Sequence, residues 1–186
     1  MTDEGQPIKP EHVFLKIIWR STLGLSVSME QATTWSITGL AAIIGLFISN
    51  LDSVGQLVSR QGLRWGLIMF TGSLVIGALS KQIGMAIAKG LAMLEKMENI
   101  LSSEQGQVLM TNMTTSSPQL VEEMAAPYFW PLSTLMRKSG MKGLSDYLFS
   151  DKRFIKLFCV QMLLVNLHGL LAAAGLVVVA SSIITK

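Results

Sequence analysis

The sequence predicts an all-α, polytopic helical membrane protein with three transmembrane helices, an N-terminal amphipathic helix and a small cytoplasmic helical region. Three runs lack Lys, Arg, Asp and Glu: residues 31–51, 65–80 and 157–185, with 21, 16 and 29 residues in a chain of 186. About 20 helical residues cross a hydrocarbon layer of about 30 Å. The other residues hold all 15 Lys and Arg and all 12 Asp and Glu. This uneven distribution disfavours a soluble enzyme domain, a secreted disulfide scaffold and a disordered chain.

The N-terminal segment, residues 1–32, is predicted to form a polar tail and then an amphipathic helix on the membrane surface. Large apolar side chains between positions 13 and 19 are interrupted by Lys16, and Arg20 follows four residues later. Residues at this spacing share one helical face. Lys16 and Arg20 are therefore expected to face lipid phosphates, with Trp19 in the interface. Packing of the helix on the protein's own domain is the open alternative.

Residues 33–80 are predicted to form a transmembrane hairpin. Trp35 and Trp65 stand at the entrances of its two spans, where aromatic side chains are enriched at the lipid–water interface. Small residues recur every four positions in the first span, at Ala41, Gly45 and Ser49. This spacing indicates a face on which another helix could approach closely.

Residues 81–156 are predicted to form a cytoplasmic stalk, a linker and a small helical domain. Apolar side chains recur every three or four residues from 83 to 101, so the helix of the second span is expected to continue as the stalk. Residues 102–119 are rich in Ser, Thr, Gln and Asn and are interpreted as the linker. Short helices are expected at 120–126 and 132–138.

Three adjacent aromatic residues lie between two prolines in the sequence Pro-Tyr-Phe-Trp-Pro, residues 127–131. One helix cannot bury three adjacent aromatics, so two interpretations remain open. The segment is either an interfacial anchor, with Trp130 in the lipid interface, or a core for the small domain. Lys152 and Arg153 belong to a basic collar before the third span, which is expected to attract anionic lipid headgroups.

The C-terminal segment, residues 157–186, is predicted to be the third transmembrane helix. Polar or small residues repeat there every seven positions, at Gln161, His168, Gly175 and Ser182. A polar stripe inside a membrane requires protein or water beside it. Asn166 lies about 200° around the helix from His168, so two protein neighbours are expected.

Basic residues are distributed asymmetrically about the three spans. If the spans alternate in direction, 12 Lys and Arg lie on one side and three on the other. The positive-inside rule then predicts a cytoplasmic N-terminus and an outside C-terminus, in a membrane expected to be the bacterial inner membrane. The larger group comprises Lys9, Lys16, Arg20, Lys81, Lys89, Lys96, Arg137, Lys138, Lys142, Lys152, Arg153 and Lys156, and the smaller one Arg60, Arg64 and Lys186.

No catalytic motif is present in the sequence, so no enzymatic activity, cofactor or metal is predicted. His168 is the sharpest candidate for chemistry, since an imidazole can gate protons or bind haem; an interhelical hydrogen bond is the favoured interpretation. Cys159 is interpreted as a small buried hydrophobe, with a reactive or acylated thiol as the alternative. The basic residues flank spans, so no nucleic-acid partner is expected.

Two functional hypotheses fit these features. The first is a non-enzymatic integral membrane subunit that packs in an oligomeric complex, with an assembly, scaffold or anchoring role, for example in a secretion or transport machine. Its partners are membrane lipids and other membrane subunits, identical or different. The second is a self-associating channel or pore whose lumen is lined by the stripe of the third span.

Overall fold

A computed structural model describes residues 9–183 of the chain. This part contains seven α-helices and no β-strand, which confirms the predicted all-α class. The first eight residues of the predicted polar tail, and Lys186 at the predicted outside end, lie beyond the described residues. The helices are α1 (Pro10–Ser49), α2 (Leu51–Leu57), α3 (Arg60–Ser102), α4 (Glu104–Thr111), α5 (Ser117–Ala125), α6 (Leu132–Ser145) and α7 (Phe149–Ser181).

Three helices are long and apolar enough to cross a membrane, namely α1, α3 and α7. They contain 40, 43 and 33 residues, so each exceeds the hydrocarbon layer of about 30 Å. α1 runs without a break, so the segment predicted as a separate surface helix and the first span form one helix. Residues 28–32 contain neither Pro nor Gly, the residues that most readily end a helix.

The chain divides into two compact units. Of the described residues, the bundle unit comprises 23–88 and 156–183, and the charged unit comprises 9–22 and 89–155. α1, α3 and α7 contribute residues to both units. α2 belongs to the bundle unit, and α4, α5 and α6 belong to the charged unit.

In the bundle unit, α3 runs antiparallel to α7, since Gly62 faces Ser182 whereas Gly84 faces Gln161. Small residues permit this close approach of two helix backbones. A Cβ at Gly175 of α7 would lie only 2.6 Å from the ring of Phe70, so this contact requires glycine. The buried positions of α3 are three or four residues apart: Gly62, Gly66, Phe70, Ser73, Gly77, Ser80, Gly84 and Ile87.

Backbone hydrogen bonds join the beginning of α3 to the end of α7. The N–H of Ser59 donates to the carbonyl of Ser182 at 3.0 Å. Val58 is buried and forms an isolated β-bridge with Ile183. The loop that carries α2 is therefore fixed to the bundle at its C-terminal end.

In the charged unit, α4 occupies part of the segment predicted to be a linker. Ser103 begins this helix, because its hydroxyl accepts from the N–H of Gly106 at 3.1 Å. Ser116 begins α5, and its N–H donates to Oε1 of Gln119 at 3.2 Å, as in a capping box. Local capping thus shortens the irregular connection to residues 112–116.

α5 and α6 form a helical hairpin with a small internal contact. The side chain of Val121 packs against Gly140, and Nε of Arg137 lies 3.2 Å from a carboxylate oxygen of Glu122. Ala125 is the one residue of these two helices that is classed as buried. α6 extends to Ser145, seven residues beyond the predicted end of this short helix.

Candidate functional site

His168 lies in the core of the bundle unit, 2% exposed. Its Nδ1 is 2.8 Å from the carbonyl oxygen of Ser73, which only accepts, so Nδ1 carries the hydrogen and donates. Its Nε2 is 2.9 Å from Oγ of Ser36, within hydrogen-bond distance. Oγ of Ser73 donates to the backbone carbonyl of His168 at 2.8 Å. The imidazole of His168 thus joins α7 to both α1 and α3.

Gln161 makes a similar three-helix contact two turns earlier on α7 and is fully buried. The hydroxyl of Ser26 in α1 donates to Oε1 of Gln161 at 2.6 Å. Nε2 of Gln161 donates to the backbone carbonyl of Ser26 at 3.2 Å. Ser80 of α3 donates to the backbone carbonyl of Gln161 at 3.4 Å. Interhelical hydrogen bonds of this kind each contribute roughly 0.6–2 kcal/mol in a membrane.

Gly175 and Ser182 complete the stripe and pack against the other end of α3. The ring of Phe70 lies on Gly175, and its centroid is 6.3 Å from that of Phe47 in α1. Ser182 faces Gly62 closely. The whole seven-residue repeat of α7 therefore points to helices of its own chain.

The serines that bind this stripe were not singled out from the sequence. The seven-residue spacing identifies Gln161 and His168 but says nothing of their partners. The signal that could have located them is the spacing of small residues along α3, where Ser73 and Ser80 alternate with glycines. A stripe of this kind predicts a packing face, and a polar stripe on another helix is its natural complement.

A second line of small residues follows the opposite side of α7 and is exposed. It consists of Asn166, Gly169, Ala173 and Ala180, at intervals of three, four and seven residues. The amide of Asn166 donates to the carbonyl of Met162 in its own helix, at 2.8 Å. A Cβ at Gly169 would meet no atom of a neighbouring element within 4 Å. We call these four residues the outer face of α7.

The small residues of the first span also lie on an exposed side of their helix. Ala41, Gly45 and Ser49 are all exposed. The hydroxyl of Ser49 donates to the carbonyl of Gly45 at 2.8 Å, within α1. The space beside Gly45 is open, since a Cβ there would meet nothing within 4 Å.

The tryptophans predicted at the lipid interface differ in exposure. Trp35 and Trp65 are exposed in the bundle unit. In the charged unit, Trp130 is exposed and Trp19 is half-buried.

Lys16 and Arg20, predicted to face lipid phosphates, have carboxylate partners in the charged unit. Arg20 donates from its two terminal nitrogens to Glu98, at 2.7 Å each, and from Nε to the buried Asp151 at 3.1 Å. Nζ of Lys16 donates to Glu98 at 2.7 Å and lies 5.0 Å from the ring centroid of Tyr147. This ion cluster joins α1, α3 and α7 within the charged unit.

The cluster shifts the pKa values of Glu98, Arg20 and Lys16. Hydrogen bonds from Arg20, reinforced by Lys16 against the effect of burial, lower the pKa of Glu98 from 4.5 to about 2. The hydrogen bond to Glu98 is the main reason why the pKa of Arg20 is raised. Burial alone would lower the pKa of Lys16, but its hydrogen bonds to Glu98 and Tyr147 raise it. Lys16, Arg20 and Glu98 therefore stay ionised at neutral pH.

Lys152 and Arg153 of the basic collar form hydrogen bonds within the charged unit, to which they belong. Nζ of Lys152 donates to Asp146 at 2.7 Å, and this hydrogen bond holds the pKa of Asp146 below its usual value. Arg153 donates to the hydroxyl of Ser139 at 3.0 Å. Both basic side chains are exposed and remain open to further contacts.

Cys159 is exposed, so its predicted burial within the chain is wrong. The physical reason is its position about 200° around α7 from the inward-facing Gln161. Across residues 9–183, no group of three or more His, Cys, Asp or Glu could hold a metal ion. In the same range, every buried side-chain nitrogen or oxygen has a hydrogen-bond partner.

The chain matches no protein-family model, no curated protein and no solved structure.

Proposed function

We propose that this chain is a non-enzymatic integral membrane subunit that packs in an oligomeric membrane complex, with an assembly, scaffold or anchoring role. The observation that carries the proposal is the outer face of α7, where Asn166 is exposed in the middle of a membrane-length apolar helix. A polar side chain in hydrocarbon is costly unless another helix supplies a partner. The small residues beside it let such a helix approach closely.

The hydrogen bonds of Asn166 support this reading. An asparagine amide can donate two hydrogen bonds and accept two. Within residues 9–183 its side chain makes one, to the carbonyl of Met162. A neighbouring subunit, identical or different, would satisfy the remaining positions. The exposed small residues of α1, at 41, 45 and 49, offer a second surface of the same kind.

The contacts made by the seven-residue stripe of α7 favour the membrane-subunit hypothesis over the pore hypothesis. A lumen lined by Gln161, His168, Gly175 and Ser182 would require these residues to leave α1 and α3. Gln161 and His168 would then lose hydrogen bonds that satisfy them inside a single chain. A water-filled channel that has no ring of charged side chains offers no stabilisation of comparable size in return.

We propose the bacterial inner membrane as the location, with the N-terminus in the cytoplasm and the C-terminus outside. The three apolar helices support membrane integration, and the asymmetry of 12 basic residues against three supports the orientation. Exposed Phe14 and Ile17 support a membrane-surface role for the first turns of α1.

Cysteine crosslinking in native membranes tests the outer face of α7. In a Cys159→Ala background, Ala173→Cys places a thiol on this face. Val75→Cys is the matched control, because Val75 is an exposed position of α3. Its depth is similar to that of Ala173, since the neighbouring Gly77 of α3 lies against His168 of α7. We expect a bifunctional maleimide to give a defined larger species from Ala173→Cys alone.

Asn166→Leu provides the energetic test of the same contact. Loss of one interhelical hydrogen bond is expected to weaken association about three- to fifteenfold, with helical content unchanged. Native mass spectrometry of the solubilised complex measures this change. Equal crosslinking at positions 75 and 173, together with a monomeric mass, contradicts the proposal. A defined ring whose conductance is lost in His168→Leu, with its mass and helical content unchanged, favours the pore instead.

A further inference from the structure

The hairpin of α5 and α6, residues 117–145, leaves most of its apolar side chains uncovered. Its internal contacts include the buried Ala125, the side chain of Val121 against Gly140, and the ion pair of Glu122 with Arg137. By contrast, Met124 and Leu135 are 50% and 60% exposed. Large apolar side chains left exposed in such number on one short hairpin indicate an interaction surface.

The connection between the two helices carries the most exposed aromatic side chains of the hairpin. Tyr128, Phe129 and Trp130 are 46%, 73% and 79% exposed. Because these three side chains are exposed among the described residues of the charged unit, they do not form the predicted core of the small domain. Aromatic side chains, Trp and Tyr above all, are enriched at membrane–water interfaces, because one end of the ring system is apolar and the other is polar.

The charge of the hairpin indicates what covers this surface. The two acidic residues of the hairpin, Glu122 and Glu123, lie on α5, and no Asp or Glu follows between residues 124 and 145. On α6, Arg137 pairs with Glu122, and Lys138 and Lys142 add two further positive charges. Lys138 and Lys142 are exposed on the same helix as the uncovered leucine and methionine side chains. Basic residues on an amphipathic helix with aromatic and aliphatic side chains beside them complement the headgroups and acyl chains of anionic lipids.

The chain itself keeps this hairpin within reach of lipid. Only residues 146–156 separate α6 from the uncharged part of α7. Fully extended, this segment would span about 40 Å, and most of it is already helical because α7 begins at Phe149. A bilayer surface is therefore always near, whichever other proteins are present.

We propose that the α5–α6 hairpin lies on the surface of an anionic phospholipid bilayer. Phe129 and Trp130 enter the boundary between headgroups and acyl chains, and Lys138 and Lys142 contact the lipid phosphates. This surface contact is independent of the proposed assembly through α7, because it uses a different unit and requires no second subunit.

Site-directed fluorescence on the full chain in nanodiscs tests the proposal. In the Cys159→Ala background, a nitrobenzoxadiazole label is placed at Phe129→Cys. The matched control is Glu123→Cys, an exposed position on the acidic side of α5. In nanodiscs containing phosphatidylglycerol, we expect label 129 to be blue-shifted and quenched by nitroxide lipids at a depth of about 5–10 Å, with label 123 in water.

Two further measurements separate charge attraction from simple apolar contact. In nanodiscs of phosphatidylcholine alone, quenching of label 129 is expected to decrease. Combining Lys138→Glu with Lys142→Glu in phosphatidylglycerol nanodiscs is expected to reduce the inserted fraction at least about tenfold. Circular dichroism checks that the charge-reversed chain is still helical, and a label at Met124→Cys repeats the test if Phe129→Cys does not fold.

An aqueous spectrum for labels 129 and 124 in phosphatidylglycerol nanodiscs overturns the proposal. Protection of these positions that appears only in native membranes, together with crosslinking to another protein, also overturns it and assigns the surface to that protein. Insertion that is equal in both lipid compositions and unaffected by charge reversal overturns the selectivity for anionic lipid.

Discussion

His168 connects three helices of the bundle unit, so its replacement has a predictable effect on stability. His168→Leu introduces an apolar side chain of similar size, removes the ring's hydrogen bonds to Ser73 and Ser36 and leaves the buried Ser73 without this partner. We expect the free energy of unfolding to fall by about 2–4 kcal/mol. Unfolding of the detergent-solubilised monomer, followed by circular dichroism, measures this difference.

The control for this prediction is Asn166→Leu, half a helical turn away on the exposed side of α7. Its side chain bonds only within its own helix among the described residues, so the stability of the monomer should change by less than about 1 kcal/mol. If the two variants unfold alike, His168 does not stabilise the bundle through these contacts.

At the residue scale, the sequence predicts which side chains of α7 require protein neighbours but not which neighbours they find. Polarity inside an apolar run is a local property, and it singles out Gln161, His168 and Asn166. The partners Ser26 and Ser73 are distant in sequence, and their pairing depends on how three helices are rotated and shifted. For the same reason, the burial of Cys159 was predicted wrongly, since composition does not fix helix rotation.

Among the helices, α3 contributes Glu98 to the ion cluster, and the lowered pKa of this residue predicts a pH effect. A carboxylate with a lowered folded pKa stabilises the fold above its unfolded pKa, and the stabilisation disappears as the pH falls through the folded value. For Glu98 this range extends from 4.5 down to about 2. Because its side chain is 44% exposed, solvent screening limits the effect to about 1 kcal/mol.

We therefore expect Glu98→Gln to melt below the wild type at pH 6, and the difference in Tm to close as the pH is lowered from 4.5 to 2. Glu95→Gln is the control, because Glu95 is an exposed carboxylate on the same helix. A difference in Tm that is constant from pH 6 to pH 2 contradicts an ionic role for Glu98.

At the element scale, the long apolar helices are predictable because charge-free runs report directly on the solvent around them. Shorter helices are harder to predict from the sequence, as α4 illustrates. Residues 104–111 lie in a polar segment interpreted as linker, but Ser103 caps a helix there, and capping outweighs composition over two turns. In α1, the predicted boundary between the surface helix and the first span leaves no mark on the backbone, because one continuous helix runs from Pro10 to Ser49.

For the whole molecule, the described part of the bundle unit has a core of small and polar residues inside an apolar exterior. Phe70, Leu23 and Ile87 are its largest fully buried apolar side chains, alongside Gln161, Thr33 and several serines. In hydrocarbon, apolar side chains gain little by leaving lipid, so close backbone approach and hydrogen bonds select the core. The spacing of small residues on α3 is therefore the feature of the sequence that best predicts the core of the bundle unit.

Orientation in the membrane is a property of the whole chain and can be tested with two single cysteines in the Cys159→Ala background. Because 12 basic residues are predicted on one side and three on the other, the side with 12 should remain in the cytoplasm. A membrane-impermeant maleimide should label Gly55→Cys on intact cells, because a Cβ at position 55 would meet no neighbour within 4 Å. It should label Glu123→Cys only after the membrane is permeabilised. Labelling of Glu123→Cys on intact cells with protection of Gly55→Cys would show the opposite orientation.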